Sequence, residues 1–271
     1  MVTLMKIEDL IGSVDSEFGD EVVEELLRQV HEGLDRALKR IRRPRVAVGV
    51  VDSPLGDLLV ATGDRGIVLN HYLGDESDLR ATIARLRFEF DPVEDGRAVR
   101  QIGEEIRHYL AGDENALRQN VDLSLVGSPF QKKVLSRLRA VPRGAVISYQ
   151  ALGASLGAPK GARAVGNALH NNPVPIYVPC HRVISSDRRI GGYAGGTARK
   201  LLLLRSEGFA IDTAEARIPD SVVWGHKGTR IYCRTNCGTA AHVRRTRILF
   251  FADPKDAQRA GMRACKICQP A

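Results

Sequence analysis

Cys180 is the only cysteine among the first 232 residues, and a histidine follows it directly in the run Pro179-Cys180-His181-Arg182-Val183. A thiol is a weak nucleophile until it loses its proton, and an adjacent imidazole is one of the few groups that can take that proton near neutral pH. An isolated Cys-His pair is more often an inert buried thiol beside a surface histidine. This pair has a distinctive setting. Asn171-Asn172-Pro173-Val174-Pro175 lies just upstream, Gly191-Gly192-Tyr193-Ala194-Gly195-Gly196 just downstream, and Arg163-Ala164-Val165-Gly166 before both. The other four cysteines form two pairs, Cys233-x3-Cys237 and Cys265-x2-Cys268, separated by 27 residues. That is the knuckle spacing of a tetrahedral four-thiolate zinc site.

The chain of 271 residues is long enough for two domains and a small appendage, and 44% apolar with 27% charged residues suits a globular protein. No apolar run is long enough to span a bilayer, so no membrane role is expected. The N-terminus has no basic region followed by an apolar core, so the expectation is a cytoplasmic, monomeric protein with reduced thiols, in which disulfides are improbable. Charge is unevenly placed: of the net +8, residues 221–271 carry all, with ten Lys or Arg against Asp253 and Asp256. Such clustering suits a polyanion as well as a solvated basic surface.

Elements must position these residues. Val23, Leu27, Val30, Leu34, Ala37 and Ile41 make one apolar helical stripe in an N-terminal extension, residues 1–44. Runs at 46–52, 57–62 and 67–72, separated by Gly- and Pro-containing turns, predict an antiparallel meander. Helical patterns follow at Leu79, Ile83, Leu86 and Phe90, then at Val99, Ile102, Ile106 and Tyr109. Residues 45–122 thus read as a small α+β domain with no evident chemistry.

From 123 to 210 the texture is helices joined by tight turns. Ser128-Pro129-Phe130-Gln131 is a capping box with proline at the first helical position. Ser148-Tyr149-Gln150 opens a short helix, Gly157-Ala158-Pro159 turns, and 161–170 forms a second helix, a helix-turn-helix pattern. Its second helix carries Ala162, Ala164 and Gly166 and so has little bulk. A thin helix approaches another surface closely, as a minor groove demands; close packing inside the protein would use the same residues. Residues 211–224 read as a linker and 225–271 as the four-cysteine domain.

Residues 46–208 resemble the O6-alkylguanine-DNA alkyltransferases. The resemblance rests on Pro-Cys-His-Arg-Val at 179–183, Ser148-Tyr149, Arg163-Ala164-Val165-Gly166, Asn172-Pro173, Gly192-Tyr193 with Gly195-Gly196, and Lys200 through Glu207-Gly208. It implies a ribonuclease H-like N-terminal α/β domain, a winged-helix-like active-site domain, and single-turnover transfer of an alkyl group from O6-alkylguanine in duplex DNA to Cys180, with O4-alkylthymine as a further candidate substrate. It further implies His181 as base through a water, Glu207 as its orienting partner, Tyr149 as donor to the departing guanine and Asn172 as brace of the turn. Pro175 and Tyr193 would wall the pocket, with Gly195 beside them. The carbonyls of Cys180 and Val183 would read the exocyclic amine, and the amide of Ala194 would face the guanine oxygen. Arg163 would fill the space left by the flipped nucleotide, the alternative being a phosphate contact.

Residues 225–271 resemble the zinc domain of the adaptive-response (Ada) protein through Ile231-Tyr232-Cys233-Arg234, 248–252, Ala260-Gly261-Met262-Arg263 and Cys265-Lys266-x-Cys268. In that family the cysteine matching Cys233 accepts methyl groups from phosphotriesters. Here the segment follows the alkyltransferase-like residues, and no activator-like stretch is expected within these 271 residues. Thr235-Asn236 stand between the first two cysteines, and Gly238-Thr239-Ala240-Ala241 replace the family's arginine-rich stretch. Structural zinc with phosphate binding therefore ranks above a second acceptor at Cys233. A non-transferring lesion sensor is the other alternative, against which the intact Cys180, His181 and Glu207 argue.

Overall fold

The computed structural model describes residues 24, 25, 27–33, 43–211, 214, 216–219, 222–234, 237 and 247–270. The chain forms two compact units, residues 1–44 and 45–271. In the first, residues 24, 25 and 27–33 are helical, with Arg28 bound to Glu25 at 2.7 Å and Glu32 at 2.5 Å. Leu27 and Val30 of the expected stripe are exposed; Val23, Leu34, Ala37 and Ile41 lie outside the described residues.

The second unit opens with a four-stranded sheet: β1 (Arg45–Val51), β2 (Leu58–Gly63), β3 (Gly66–Tyr72) and β4 (Asp91–Glu94), in the order β3-β2-β1-β4. β1, β2 and β3 form the antiparallel meander the turns predicted, and β4 adds a parallel edge. β4 was not legible, because Pro92 and its acidic neighbours look like loop; an edge strand tolerates both. The apolar run of β2 serves two faces. Leu58 and Val60 pack with α2 (Gly96–Leu110), whereas Leu59 and Ala61 pack toward α1 (Glu76–Leu86). Both helices start at an aspartate, Asp75 and Asp95, whose side chain accepts from first-turn amides. The stripe Val99, Ile102, Ile106 and Tyr109 is buried as its spacing required.

The next stretch holds α3 (Pro129–Leu138), β5 (Ala145–Ser148), α4 (Tyr149–Ala154) and α5 (Ala162–His170). Ser128 and Ser148 cap α3 and α4 through Gln131 N and Ala151 N. A 3-10 turn at Cys180–Arg182 leads into β6 (Val183–Ile184), and α6 (Thr197–Ser206) follows. The final elements are β7 (Val223–His226), β8 (Ile231–Arg234), β9 (Ile248–Phe251), α7 (Pro254–Arg259) and β10 (Arg263–Ala264). The architecture is mixed α+β.

One sheet runs through both of these parts, in the order β10-β8-β7-β9-β5-β6. β9 pairs antiparallel with β5, Ala145 opposite Phe251 and Val146 opposite Phe250. The core is continuous as well: Tyr232, Leu249, Phe251 and Met262 belong to the same apolar cluster as Val165, Val183 and Cys180. Of the expected linker, residues 211–224, Ile211, Ile218 and Val222 are buried together with Phe209 against Val146, Ile184 and Leu204. Sequence spacing gave no hint of this junction, since short apolar strands such as 145–148 are only placed by their partners.

Candidate active site and metal centre

Cys180 is 7% exposed and opens on a cleft of about 820 Å³. Its walls include Asn172, Pro175, Tyr193, Ala194 and Gly195, together with Asn70 and Tyr72 from β3. The loop before Cys180 is held under strain. Ile176 is β-branched yet has φ of 75°, which costs on the order of 1–3 kcal/mol and persists only when neighbours over-determine it. Asn172 supplies much of that restraint. Its Oδ1 accepts from Val174 N at 3.1 Å, and its Nδ2 donates to Val178 O at 2.9 Å and to Cys180 Sγ at 3.2 Å. Tyr177 adds a hydroxyl bond to the buried Glu105 at 2.7 Å.

Burial pushes the Cys180 thiol up, while the Asn172 amide, the Lys200 charge and the Tyr193 hydroxyl pull it back toward the thiolate. Behind the thiol lies a fully buried polar group. His181 Nε2 is 2.6 Å from Glu207 Oε1, and both side chains are 0% exposed. Arg182 shares its Nε–H between the two Glu207 oxygens at 3.0 Å each. Tyr109 donates to the same carboxylate and accepts from Arg182 Nη2 at 3.1 Å. The Gly144 amide reaches Glu207 Oε2 at 3.4 Å.

Burial alone would raise Glu207, but attraction to the protonated form of His181 and to Arg182 overcomes it and holds the carboxyl at about 2. Burial lowers His181, with Glu207 opposing, so the resting imidazole is neutral. An ionised Glu207 then accepts a hydrogen bond from Nε2–H, which keeps the ring proton on Nε2 and the lone pair on Nδ1. Nδ1 is buried and has no protein partner among the described residues. The pair is therefore set to accept one proton and to have the resulting charge neutralised.

Lys200 is 0% exposed and donates to the carbonyls of Val183 at 2.7 Å and Gly192 at 3.2 Å, and to that of Ile190. Burial lowers it to about 8. The Val183 carbonyl thus already holds one partner, and the Cys180 carbonyl likewise accepts from Val183 N. Each keeps a second lone pair. Tyr149 is half-buried, starts α4, and points its hydroxyl at Gly192 O, 3.4 Å away; burial raises its pKa and keeps it a donor. On α5, Val165, Ala168 and Leu169 face inward, which leaves Arg163 and Ala164 exposed and Ala162 and Gly166 partly so.

Sequence reading missed Arg182, Tyr109, Tyr72 and Asn70 as members of this site. Tyr109 closes an apolar helical stripe with a polar tip, which is the one signal it offered. Asn70 and Tyr72 sit in an ordinary strand, and only tertiary packing brings them to Cys180.

The sulfurs of Cys233, Cys237, Cys265 and Cys268 all lie within 4.8 Å of one another. A tetrahedral zinc with bonds of about 2.3 Å needs sulfurs about 3.8 Å apart, so the four residues fit the ion. The amides of Cys268 and Ile267 lower the Cys265 thiol to about 7, and Arg234 N approaches Cys268 Sγ at 3.4 Å. Trp224, opposite Cys233 across β7 and β8, packs on the cluster.

Residues 129–209 match the family model for the DNA binding domain of 6-O-methylguanine DNA methyltransferase, and residues 209–271 match the metal binding domain of Ada. The methylated-DNA–protein-cysteine methyltransferase of Methanosarcina barkeri is 32% identical over 160 residues, covering 58% of this chain and 94% of that protein. The chain belongs to the methylated-DNA–protein-cysteine methyltransferase family. Its zinc is structural, in a four-cysteine domain of the Ada type. The family protein of Salmonella typhimurium is 44% identical over 110 residues, and the chain spans 64% of its length. The bifunctional transcriptional activator and DNA repair enzyme Ada of Escherichia coli is 33% identical over 185 residues, or 66% of this chain and about half (51%) of Ada. A crystal structure of Mycobacterium tuberculosis OGT in complex with DNA aligns with a TM-score of 0.49 at 32% identity, covering 60% of this chain and 92% of that one. Among the described residues no helix is long and apolar enough to cross a membrane.

Proposed function

We propose that this protein repairs O6-alkylguanine in double-stranded DNA by moving the alkyl group irreversibly to Cys180. The observation that carries the reading is the thiol at the floor of a cleft, held by Asn172 and backed by the buried His181–Glu207–Arg182 group. In the reaction the Cys180 thiol gives its proton to His181 Nδ1 through a water. The thiolate attacks the alkyl carbon in line, the carbon–oxygen bond breaks, and its electron pair stays on the guanine. Tyr149 hydrogen-bonds a ring nitrogen of the leaving base, and the base ends with the proton the thiol lost. The thioether has no leaving group that these residues can expel, so each molecule acts once.

The target atom lies inside the duplex, so the nucleotide is flipped out at a cost on the order of a few kcal/mol. Arg163, exposed near the start of α5, fills the vacated stack, and Ala162, Ala164 and Gly166 let the helix into the minor groove. Pro175, Tyr193, Ala194 and Gly195 enclose the base, and the free lone pairs of the Cys180 and Val183 carbonyls read its amine. In this reading residues 45–122 are a ribonuclease H-like domain, 123–210 a winged-helix-like one, and the zinc domain adds phosphate contacts. The protein works as a cytoplasmic monomer. Cys233 is 2% exposed beneath Trp224, which supports a structural thiolate over a second acceptor.

The test is stoichiometry. Protein incubated with excess O6-methylguanine duplex gains one methyl group by intact mass and then stops, and Cys180→Ala gains none. Multiple turnover, or methylation of Cys180→Ala at the same rate, contradicts the proposal.

A further inference from the structure

Glu105 is a buried carboxyl that the transfer step does not use. It sits on α2, is 6% exposed, and is filled by donors on both oxygens. Oε1 accepts from Gln119 Nε2 at 3.1 Å and from Gln101 Nε2 at 3.5 Å. Oε2 accepts from Arg118 N at 3.0 Å and from the Tyr177 hydroxyl at 2.7 Å. A carboxylate offers about four acceptor positions, so none is left over. Gln101, Arg118 and Gln119 come from α2 and the residues after it, and they hold the group still. Tyr177 lies 72 residues away, in the loop that leads to Cys180. Burial first, and then Glu105 itself, hold the Tyr177 phenol well above its usual range, so its hydroxyl stays a donor.

That loop needs restraint from outside. Val178 N donates to Val174 O at 2.9 Å and Cys180 N to Val178 O at 2.8 Å, which folds residues 174–180 into a tight turn around Ile176 and its φ of 75°. A β-branched residue stays in the left-handed region only where its neighbours are fixed. Both neighbours are fixed by residues of the preceding α+β segment. Asn70 Nδ2, from β3, donates to Pro175 O at 2.9 Å, and Glu105 takes the Tyr177 hydroxyl. Pro175 and Cys180 both line the cleft. We propose that Glu105 is a positioning residue for Cys180: through Tyr177 it holds residues 174–180 in the strained turn that places the thiol and the Pro175 wall. The nature of the transferred group rests on the alkyl-transfer reading above; the restraint on the loop does not.

The experiment compares zinc-loaded wild type, Tyr177→Phe, Glu105→Gln and the double variant by two readouts. Tyr177→Phe keeps the ring and removes only the hydroxyl. Hydrogen–deuterium exchange of the peptide spanning 174–182 reads the loop itself, with peptides from β1 and β2 as internal reference. Losing a hydrogen bond to a carboxylate speeds loop exchange in Tyr177→Phe by about tenfold or more, while the reference peptides stay as in wild type. In single-turnover transfer from O6-methylguanine duplex, the final yield reports the folded fraction and the rate constant reports the placement of the thiol. Tyr177→Phe reaches the wild-type yield with a rate constant about tenfold lower, and half-saturation by DNA is unchanged because α5 is untouched. Glu105→Gln does at least as much, and the double variant no more than Glu105→Gln, since both act through one bond. Unchanged loop exchange in Tyr177→Phe, equally faster exchange in the reference peptides, a lowered yield at an unchanged rate constant, or effects that add in the double variant would each overturn the proposal. Should wild type transfer no methyl group at all, the alkyltransferase reading fails, while the exchange profiles still decide the role of Glu105.

Discussion

Glu207 is the residue whose loss should be felt most widely, because one carboxylate serves His181, Arg182, Tyr109 and the Gly144 amide. Glu207→Gln leaves a buried guanidinium without its counter-charge, which costs about 3–5 kcal/mol by denaturant unfolding. It also removes the group that stabilises protonated His181, so methyl transfer slows by at least about 100-fold in single-turnover assays. The pH dependence has a defined sign. The folded pKa of about 2 lies below the ordinary 4.5, so the stabilisation is complete above pH 4.5 and is lost as pH falls toward 2. His181, lowered by burial, works in the same direction from its ordinary 6.5 downward, because the unfolded chain takes up that proton first. Urea midpoints measured along this range should fall with acid in wild type and show a flatter course below pH 4.5 in Glu207→Gln. Cys180, His181 and Glu207 were legible because their residue types and motif setting signal chemistry. Arg182 stands in the same run but shows no task in the sequence, since its partners Glu207, Tyr109 and the Val141 carbonyl are distant along the chain.

At the scale of elements, the helices were legible from their caps and apolar spacing. Ser128, Ser148 and the stripe from Val99 to Tyr109 all do what their positions required. Strands proved legible where turns frame them, as in β1 to β3, and illegible where a distant partner defines them, as in β4, β5 and β9. β5 illustrates the consequence. It pairs with β6, which follows the Cys180–Arg182 turn, and with β9 from the four-cysteine domain. Phe251 of β9 is fully buried opposite Ala145, so Phe251→Ala should cost about 3–5 kcal/mol in unfolding experiments and broaden the loss to the Cys180 site. Gly144, at φ of 71°, lies between Glu207 and Asp256, whose carboxyl would sit 2.6 Å from an added Cβ. Gly144→Ala should therefore destabilise the protein through both backbone strain and that clash, to be read as a lowered thermal midpoint.

For the whole molecule, the shared sheet and core tie the zinc site to the reacting thiol. Zinc stabilises the folded chain through its four thiolates, so its removal acts on everything that folds with them. Chelation should lower the thermal midpoint of residues 45–271 as a single transition and slow methyl transfer at Cys180, although no cysteine ligand lies in the cleft. Two separate transitions, with transfer unchanged, would mean that the sheet pairing of β5 and β9 carries no coupling. Sequence showed the metal ligands plainly from their spacing but presented the preceding residues as a linker, since burial of Ile211 and Ile218 depends on contacts with Val146 and Leu204. The central claim is that one thiol among five accepts the alkyl group. Peptide mapping after exposure of zinc-loaded protein to excess O6-methylguanine duplex tests it most directly. Cys180 should carry the methyl group in nearly every molecule, with Cys233, Cys237, Cys265 and Cys268 unmodified; a methyl group on any of those four, or an unmodified Cys180, would contradict the account.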